Sequence, residues 1–382
     1  MKMKKYQLMA PGPTPIPPSV LQAMAQPILH HRTPEFEAIF AEVRKDLRAL
    51  FQTGSDVLIF AASGTGGMEA AVVNLCSPRE RVLAIEAGKF GERWGEICRA
   101  FNLDIISLKA PYGHAVTPEA LDGHLRAHPG VRCVLSTHSE TSTGVLMDVK
   151  GFAEVAHRHG ALLVVDAVSS LGAAELRMDA WDLDVVVTGS QKGLMLPPGL
   201  ALVGVGPRGW ERATQAKLPK YYWNLLEERK IQAKNQVLYT PAVSLVIGLR
   251  EALRLLLAEG LDNVVRRHDR LARATRAGAE ALGLELFAKA TPSPAVTAIR
   301  APQGIDGEAI VTAYSKAHNI TIAGGQGEMK GKIFRVAHLG YVGDFDVLTG
   351  IAALEMILKE FGVPVDLGAG LRAAEKVFAD ER

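Results

Sequence analysis

An aspartate and a lysine each stand at the end of an apolar run, where a strand of a buried sheet would end. Asp166 closes ALLVVD (161–166), and Lys192 lies in SQKG just after DVVVTG (184–189). A lysine among apolar neighbours loses hydration, which favours its neutral, nucleophilic amine. A buried carboxylate is costly unless it meets a cation such as a protonated pyridine nitrogen. Each residue alone also fits an ordinary turn or a solvated loop, but together they indicate a bound cofactor.

A glycine-rich segment, SGTGGME (63–69), lies between the strand-like VLIFAA (57–62) and a helical pattern. Glycines let backbone N–H groups approach an anion, and the start of a helix adds a positive dipole, so the segment suits a phosphate. It also resembles a dinucleotide fingerprint, with Glu86 as the ribose-binding acid, although Glu69 stands where the third glycine belongs. A tight strand-to-helix corner without a ligand is the third interpretation.

The elements that would position these residues alternate between short β-branched runs and helical segments from about residue 55 to 205. This alternation predicts a mostly parallel sheet flanked by helices. In such sheets ligands gather at the carboxyl ends of the strands, so the residues just after each run are the ones to consider for chemistry. The runs are VLIFAA (57–62), RVLAI (81–85), LDIISL (103–108), RCVLST (132–137), ALLVVD (161–166) and DVVVTG (184–189).

The remainder of the chain predicts long helices followed by a smaller α/β unit. With 382 residues, the chain suits two packed domains, which we place at 1–260 and 261–382. The predicted elements are helices within 245–282, a strand at 296–300, a helix at 306–318, a glycine-rich loop at 323–332, a strand at 332–337 and a helix near 344–361.

Composition and charge exclude several classes of protein. The formal net charge is +2, with 43 basic and 41 acidic residues, so nothing supplies the basic surface that nucleic acids require. No stretch reaches 18 apolar residues and no export signal is recognisable, which predicts a cytoplasmic protein without a membrane span. The three cysteines lack the spacing of metal ligands, so we expect no metal site and reduced, structural thiols.

Several motifs together resemble the class V aminotransferases of pyridoxal-phosphate (PLP) fold type I, nearest to the alanine:glyoxylate and serine:pyruvate or serine:glyoxylate branch. VDAVSS with SQKG is the specific combination. The resemblance implies a large domain with a mostly parallel sheet flanked by helices and a smaller C-terminal α/β domain. The matching segments are APGPTPIPP (10–18), HHRTPEF (30–36), SGTGGMEA (63–70), HSETSTGVL (138–146), VVDAVSS (164–170), GSQKG (189–193) and KIFRVAHLG (332–340).

The resemblance also implies roles for individual residues. PLP would form a Schiff base with Lys192 and hold its ring nitrogen against Asp166, while Arg335 would bind the substrate α-carboxylate. The other implied cofactor contacts are Gly64, Thr65 and Gln191 at the phosphate, Phe90 and Val168 on the two ring faces, Thr141 at the ring hydroxyl, and Thr240 reaching the phosphate of the other subunit.

Three positions depart from the family pattern or stay open. The stacking residue, often Trp in relatives, is Phe90, which gives a smaller flat face. Val237 stands where a partner-subunit tyrosine is expected, with Tyr239 nearby. Arg32 is a candidate for contact with substrate or for an ordinary ion pair, and the sequence does not decide between them.

These expectations describe a homodimeric transaminase with a ping-pong mechanism, moving an amino group from alanine or serine to glyoxylate or pyruvate. Other fold type I chemistry is an alternative. Cysteine desulfurisation would need a mobile cysteine in the small domain, yet no cysteine follows Cys133. A nicotinamide-dependent oxidoreductase built on residues 63–69 and Glu86 is a second alternative, which leaves Lys192 and Asp166 without a role.

Overall fold

The computed structural model describes residues 5–380. Helices and strands alternate along most of this range. In chain order the strands are β1 (Gln7–Leu8), β2 (Asp56–Ala62), β3 (Arg81–Glu86), β4 (Asp104–Lys109), β5 (Cys133–Thr137), β6 (Ser139–Glu140), β7 (Val145–Leu146), β8 (Leu162–Asp166), β9 (Val185–Gly189), β10 (Gly199–Val205), β11 (Val296–Arg300), β12 (Ile320–Thr321), β13 (Ala323–Gly324) and β14 (Ile333–Ala337). The helices are α1 (Pro18–Met24), α2 (Pro34–Phe51), α3 (Gly64–Leu75), α4 (Lys89–Ala100), α5 (Pro118–Ala127), α6 (Val149–Arg158), α7 (Pro207–Gln215), α8 (Leu225–Gln232), α9 (Val243–Glu259), α10 (Leu261–Ala281), α11 (Gly307–His318), α12 (Asp344–Glu360) and α13 (Ala369–Ala379).

The largest sheet within these residues has seven strands in the order β2-β10-β9-β8-β5-β3-β4. Strands β9, β8, β5, β3 and β4 pair in parallel. Strand β10 runs antiparallel to both of its neighbours, β2 and β9. All six predicted runs form strands of this sheet, which confirms the mostly parallel α/β architecture.

Both faces of the sheet are covered. In β2, Val57 and Ile59 belong to one hydrophobic core, while Leu58 and Phe60 belong to the core on the opposite face. The first core is completed by α2, α6 and α9, and the second by α3, α4 and α7. Burial on two sides explains why the strand sequences are continuously apolar and do not alternate with polar residues.

A smaller antiparallel sheet, β11-β14-β13, packs with α11 and α12 around Ile310, Tyr314 and Phe334. Strand β1 pairs in parallel with β12, so the N-terminal segment begins beside this second sheet. The predicted loop at 323–332 is partly wrong, because β13 adds to the edge of β14 and Gly327–Met329 form a 3-10 helix. The domain boundary at 260 stays a prediction.

The fold places several chain segments at one edge of the large sheet. Strands β2, β3, β5, β8 and β9 all end at this edge, and α3 and α4 begin there.

Cys76, Cys98 and Cys133 are buried as free thiols. Within residues 5–380, none of the helices combines the length and the hydropathy that crossing a membrane requires.

Candidate active site

One cavity at this sheet edge contains most of the residues that the sequence predicted. Its floor is formed by the residues after β8 and β9, and its walls by the first turns of α3 and α4. Thr141 and Arg335 lie beside it, outside its lining. The lining residues are Ser63, Gly64, Thr65, Met68, Phe90, Arg93, Ser139, Asp166, Val168, Ser169, Gln191 and Lys192.

The first turn of α3 forms one wall and suits an anion. The backbone N–H groups of Gly66 and Gly67 bond to the Ser63 carbonyl at 2.9 and 3.3 Å, while those of Gly64 and Thr65 precede the bonded turn. A Cβ atom at Gly64 would lie 2.5 Å from Val168 Cγ2, so only glycine lets the helix start this close to the floor. The glycine-rich segment therefore has the geometry of a phosphate cradle.

Asp166 is a buried carboxylate without a counter-ion. Its side chain is 5% exposed and Oδ1 accepts a 2.8 Å hydrogen bond from the Val168 amide. No ion pair to it occurs among residues 5–380. Burial raises the pKa of Asp166 to about 6, and the nearby Glu140 adds to the rise while Arg93 and Lys192 oppose it. A cationic ring nitrogen would supply the missing partner.

Lys192 carries a weakly basic amine. Burial lowers the pKa of Lys192 to about 8, with Asp166 opposing the fall and Arg335 and Arg93 adding to it. Its Nζ donates a hydrogen bond to the Pro11 carbonyl. The neutral amine is therefore accessible near physiological pH, as a nucleophile or base requires.

The N-terminal segment APGPTP (10–15) covers this lysine, which the sequence alone did not predict. Thr14 Oγ1 donates to the Lys192 carbonyl at 3.0 Å, and a Cβ atom at Gly12 would collide with the lysine side chain. Because the contact joins residues about 180 positions apart, no local pattern indicated it.

Two polar atoms that lie on or beside the cavity are buried and have no hydrogen-bond partner among the described residues. They are Thr141 Oγ1 and Gln191 Oε1. A buried hydroxyl or carboxamide without a hydrogen bond is costly, so both atoms favour a polar ligand beside them. The resemblance assigned Thr141 to the ring hydroxyl of PLP and Gln191 to its phosphate. These orphaned groups, the α3 cradle and the unpaired Asp166 fit PLP.

Arg335 is a buried cation on β14, and so does not face outward into solvent. It is 4% exposed, and burial lowers its pKa to about 10 against the opposing effect of Glu140 and Glu308. Its Nε donates to the Gly324 carbonyl at 2.8 Å and its Nη1 to the Thr141 carbonyl at 2.7 Å. Nη2 has no partner among the described residues, so this protonated guanidinium has donors left for a carboxylate.

The sequence interpretation missed Arg93, a cation that lines the cavity. Its Nη1 donates to Thr65 Oγ1 at 3.2 Å and its guanidinium lies 5.0 Å from the centre of the Phe90 ring. Residues 90 and 93 are three apart on α4 and therefore share a face, which was the available signal. Arg93 adds positive charge to the cavity beside the first turn of α3.

Thr240 lies outside this cavity. It is exposed and lines a shallow surface depression with Tyr239 and Tyr222, whose rings stack at 4.9 Å. Arg32 is also outside the cavity, and its Nη1 donates to Gln236 Oε1 at 3.0 Å. Within one chain, neither residue reaches the candidate site.

Comparison with known proteins places the chain in a family. The model of the family "Aminotransferase class-V" matches residues 6–334. The chain is 47% identical to the "Soluble hydrogenase, small subunit" of Synechococcus sp. (strain PCC 6716) over 98% of this chain and 99% of that protein. It is 40% identical to the "L-aspartate--glyoxylate aminotransferase" of Paracoccus denitrificans (96% and 94%) and 35% identical to the "Serine--glyoxylate aminotransferase" of Arabidopsis thaliana (97% and 94%).

Solved structures of aminotransferases superpose closely on this chain. A pyridoxamine-pyruvate aminotransferase from Mesorhizobium loti superposes with a TM-score of 0.95 at 29% identity, covering 100% of this chain and 98% of that one. An alanine--glyoxylate aminotransferase from Nostoc sp. superposes with a TM-score of 0.89 at 32% identity, covering 94% and 96%. The chain therefore belongs to the class V aminotransferases of PLP fold type I, a membership that implies PLP as its cofactor.

Proposed function

We propose that this chain transfers an amino group from alanine or serine to glyoxylate or pyruvate, with PLP bound between Lys192 and Asp166. The observation that carries the proposal is that one cavity holds a buried amine of lowered pKa and a buried carboxylate that forms no ion pair with any described residue. PLP would complement both groups, because its aldehyde can react with the amine and its ring nitrogen can pair with the carboxylate.

Lys192 acts as the proton carrier in this proposal. Bound PLP would supply an electron sink for the negative charge that develops at the substrate α-carbon. Lys192 Nζ takes the α-proton, and its pKa of about 8 leaves enough neutral amine at pH 7 to do so. The carboxylate of Asp166 would keep the ring nitrogen of the bound cofactor protonated, and so would preserve the electron sink.

Arg335 orients the substrate. A planar guanidinium binds a carboxylate through two parallel hydrogen bonds, so Arg335 would fix the orientation of the substrate in the site. We assign Phe90 and Val168 to the two ring faces, Thr141 to the ring hydroxyl, and Gly64, Thr65 and Gln191 to the phosphate. Arg93 joins this last group, because its hydrogen bond to Thr65 lies at that end.

Small substrates are favoured because the described residues that line the cavity include no cation besides Lys192 and Arg93, and so no cation left over for a second carboxylate. A side-chain carboxylate would need one, since an unpaired buried charge costs several kcal/mol. Arg32 bonds to Gln236 outside the cavity, and Arg93 bonds to Thr65 at the phosphate end. Size alone discriminates by roughly 1–3 kcal/mol per methylene, so alanine and serine should both react, with kcat/KM values that differ by no more than about 100-fold.

A donor and acceptor panel tests this assignment. Alanine, serine and aspartate are each combined with glyoxylate, pyruvate and 2-oxoglutarate, and kcat/KM is measured for every pair except alanine with pyruvate, which only regenerates its reactants. Alanine with glyoxylate, or serine with glyoxylate or pyruvate, should be fastest. Much faster turnover of aspartate, as the name of the Paracoccus relative describes for that protein, would overturn the substrate assignment while leaving the aminotransferase chemistry in place.

The alternatives have less support from the described residues. Glu86, the acid that a nicotinamide enzyme would need free, already accepts from Ser107 Oγ at 2.8 Å and lies 3.6 Å from Lys109 Nζ. The word hydrogenase in the name of the Synechococcus relative describes that protein. In this chain, residues 5–380 gather no group of three or more His, Cys, Asp or Glu side chains that could hold a metal ion.

We also propose that the active unit is a homodimer. Thr240 is exposed and does not line the cavity of its own chain. It is therefore available to contact the cofactor phosphate of a neighbouring subunit. Sedimentation at assay concentration should show a dimer. A fully active monomer would refute this proposal.

A further inference from the structure

Glu140 is a buried carboxylate that no assigned role uses. It is 1% exposed and lies in β6, at the start of the turn that contains Thr141. Burial raises its pKa, whereas hydrogen bonds from Ser142 and from backbone amides lower it. Burying a carboxylate costs free energy, so the hydrogen bonds that Glu140 makes indicate its role.

One oxygen of Glu140 holds the start of α4. Oε2 accepts hydrogen bonds from the Phe90 amide at 3.0 Å and the Gly91 amide at 2.8 Å. The Lys89 amide bonds to Ser142 Oγ at 3.0 Å. The first three N–H groups of the helix are therefore satisfied by a turn about 50 residues away, because the N-cap Gly88 has no side chain to do so.

The other oxygen holds the turn itself. Oε1 accepts from the Ser142 amide at 3.1 Å and from Ser142 Oγ at 2.5 Å. The Glu140 carbonyl accepts from the amides of Thr143 and Gly144 at 3.1 and 2.8 Å. These bonds fix Thr141, whose carbonyl in turn accepts from Arg335 Nη1 at 2.7 Å.

We propose that Glu140 is a positioning residue, whose carboxylate holds the stacking ring of Phe90 and the carboxylate-binding Arg335 in register across the cofactor site. The inference rests on the proposed function. The negative charge of Glu140 also acts on the buried Arg335 guanidinium, where it opposes the fall in pKa that burial causes. One side chain thus connects the ring-binding helix with the substrate-binding arginine.

Replacing Glu140 with glutamine isolates this role. The two side chains have nearly the same shape, but each carboxylate oxygen faces a backbone N–H group. Either orientation of the glutamine amide therefore turns an NH2 group against an N–H donor, at α4 or at Ser142. The helix start or the turn must move.

Glu355→Gln is a matched control. Glu355 is 3% exposed and accepts from the amides of Gly368, Gly370 and Leu371 at 2.7, 2.9 and 3.2 Å, at the start of α13. It is a second buried glutamate that caps a helix, and it does not line the cavity. Both variants should lower the melting temperature of the protein.

The experiment titrates each cofactor-free variant with PLP and records visible circular dichroism of the holoenzymes. Glu140→Gln should weaken PLP affinity by about tenfold, since hydrogen bonds to a charged group are lost, and should change the dichroism of the bound cofactor. Its KM for the 2-oxo acid should rise more than its kcat falls, because Arg335 is displaced. Glu355→Gln should leave the PLP affinity, the dichroism and the KM for the 2-oxo acid near their wild-type values.

Equal PLP affinity and dichroism in the two variants would show that Glu140 is only a helix cap and would overturn the inference. If Glu140→Gln does not fold, Ser142→Ala removes the 2.5 Å bond to Glu140 together with the bond from the Lys89 amide, and should give the same changes at smaller size. No change in that variant would also overturn it. Wild-type protein that forms no cofactor band would instead refute the proposed function, and this inference with it.

Discussion

Replacing Asp166 with asparagine should stabilise the cofactor-free protein at neutral pH and abolish transamination. The asparagine Oδ1 can still accept the bond from the Val168 amide that Asp166 accepts at 2.8 Å. Burial raises the pKa of Asp166 from 3.8 to about 6. Since a change of one in pKa corresponds to about 1.4 kcal/mol, ionising this carboxyl in the folded chain costs up to about 3 kcal/mol.

The sign of the effect depends on pH. Below about pH 3.8 the carboxyl is protonated in the folded and unfolded chains, so wild type and variant should be equally stable. Between pH 3.8 and about 6 the folded state binds more protons than the unfolded state, and the stability of wild type falls as pH rises. Above pH 6 the advantage of Asp166→Asn should reach its full size.

Urea unfolding of the cofactor-free proteins at pH 7.5 and 4.5 measures this difference. Asp184→Asn is the control, because Asp184 is equally buried but bonded to His157 Nε2 at 2.8 Å and Arg208 Nε at 2.6 Å. The free energy of unfolding of that variant should fall at pH 7.5, because its neutral amide cannot replace the buried carboxylate that pairs with Arg208 and His157. If Asp166→Asn is destabilised at pH 7.5 as Asp184→Asn is, Asp166 is a structural residue and its assignment to the cofactor is wrong.

Three further outcomes follow from the site. Arg335→Lys should raise KM for the 2-oxo acid about tenfold or more with a smaller effect on kcat, because the two-pronged guanidinium is lost; an unchanged KM would remove Arg335 from the substrate site. Gly64→Ala should weaken PLP binding about tenfold, since its Cβ would lie 2.5 Å from Val168 Cγ2; unaltered affinity in a titration would contradict the cradle. The rate of PLP addition to the cofactor-free protein, followed by absorbance, should rise from pH 7 and level off above pH 9 as Lys192, with a pKa near 8, loses its proton; a flat profile would contradict the lowered pKa.

Local pattern was enough to predict the large sheet and the residues at its edge. Continuous apolar runs marked β8 and β9, and the position of Asp166 and Lys192 just at or after their ends placed both residues on the floor of one cavity. The glycine-rich segment was ambiguous in the sequence, and the structure shows that Gly64 packs closely against Val168 at the wall of the cavity. Sequence pattern indicates which residues end a strand, but it does not show which distant residues they contact.

What the sequence did not predict depends on contacts between distant segments. The bond from Lys192 to Pro11 and the bonds from Phe90 and Gly91 to Glu140 join parts of the chain that only the folded structure brings together. Arg335 illustrates the same limit, because its strand pattern fits an outward or an inward side chain equally well. Its burial at 4% exposure follows from how β14 packs against the Thr141 turn.

Borohydride reduction tests most directly whether Lys192 binds the cofactor. Purified protein is incubated with PLP, reduced, digested and mapped by mass spectrometry, with Lys192→Ala as the control. We expect a visible absorbance band before reduction and a pyridoxyl group on the peptide that contains Lys192, both absent from the control. A pyridoxyl group on a different lysine, or the absence of any band after incubation with PLP, would contradict the assignment of Lys192.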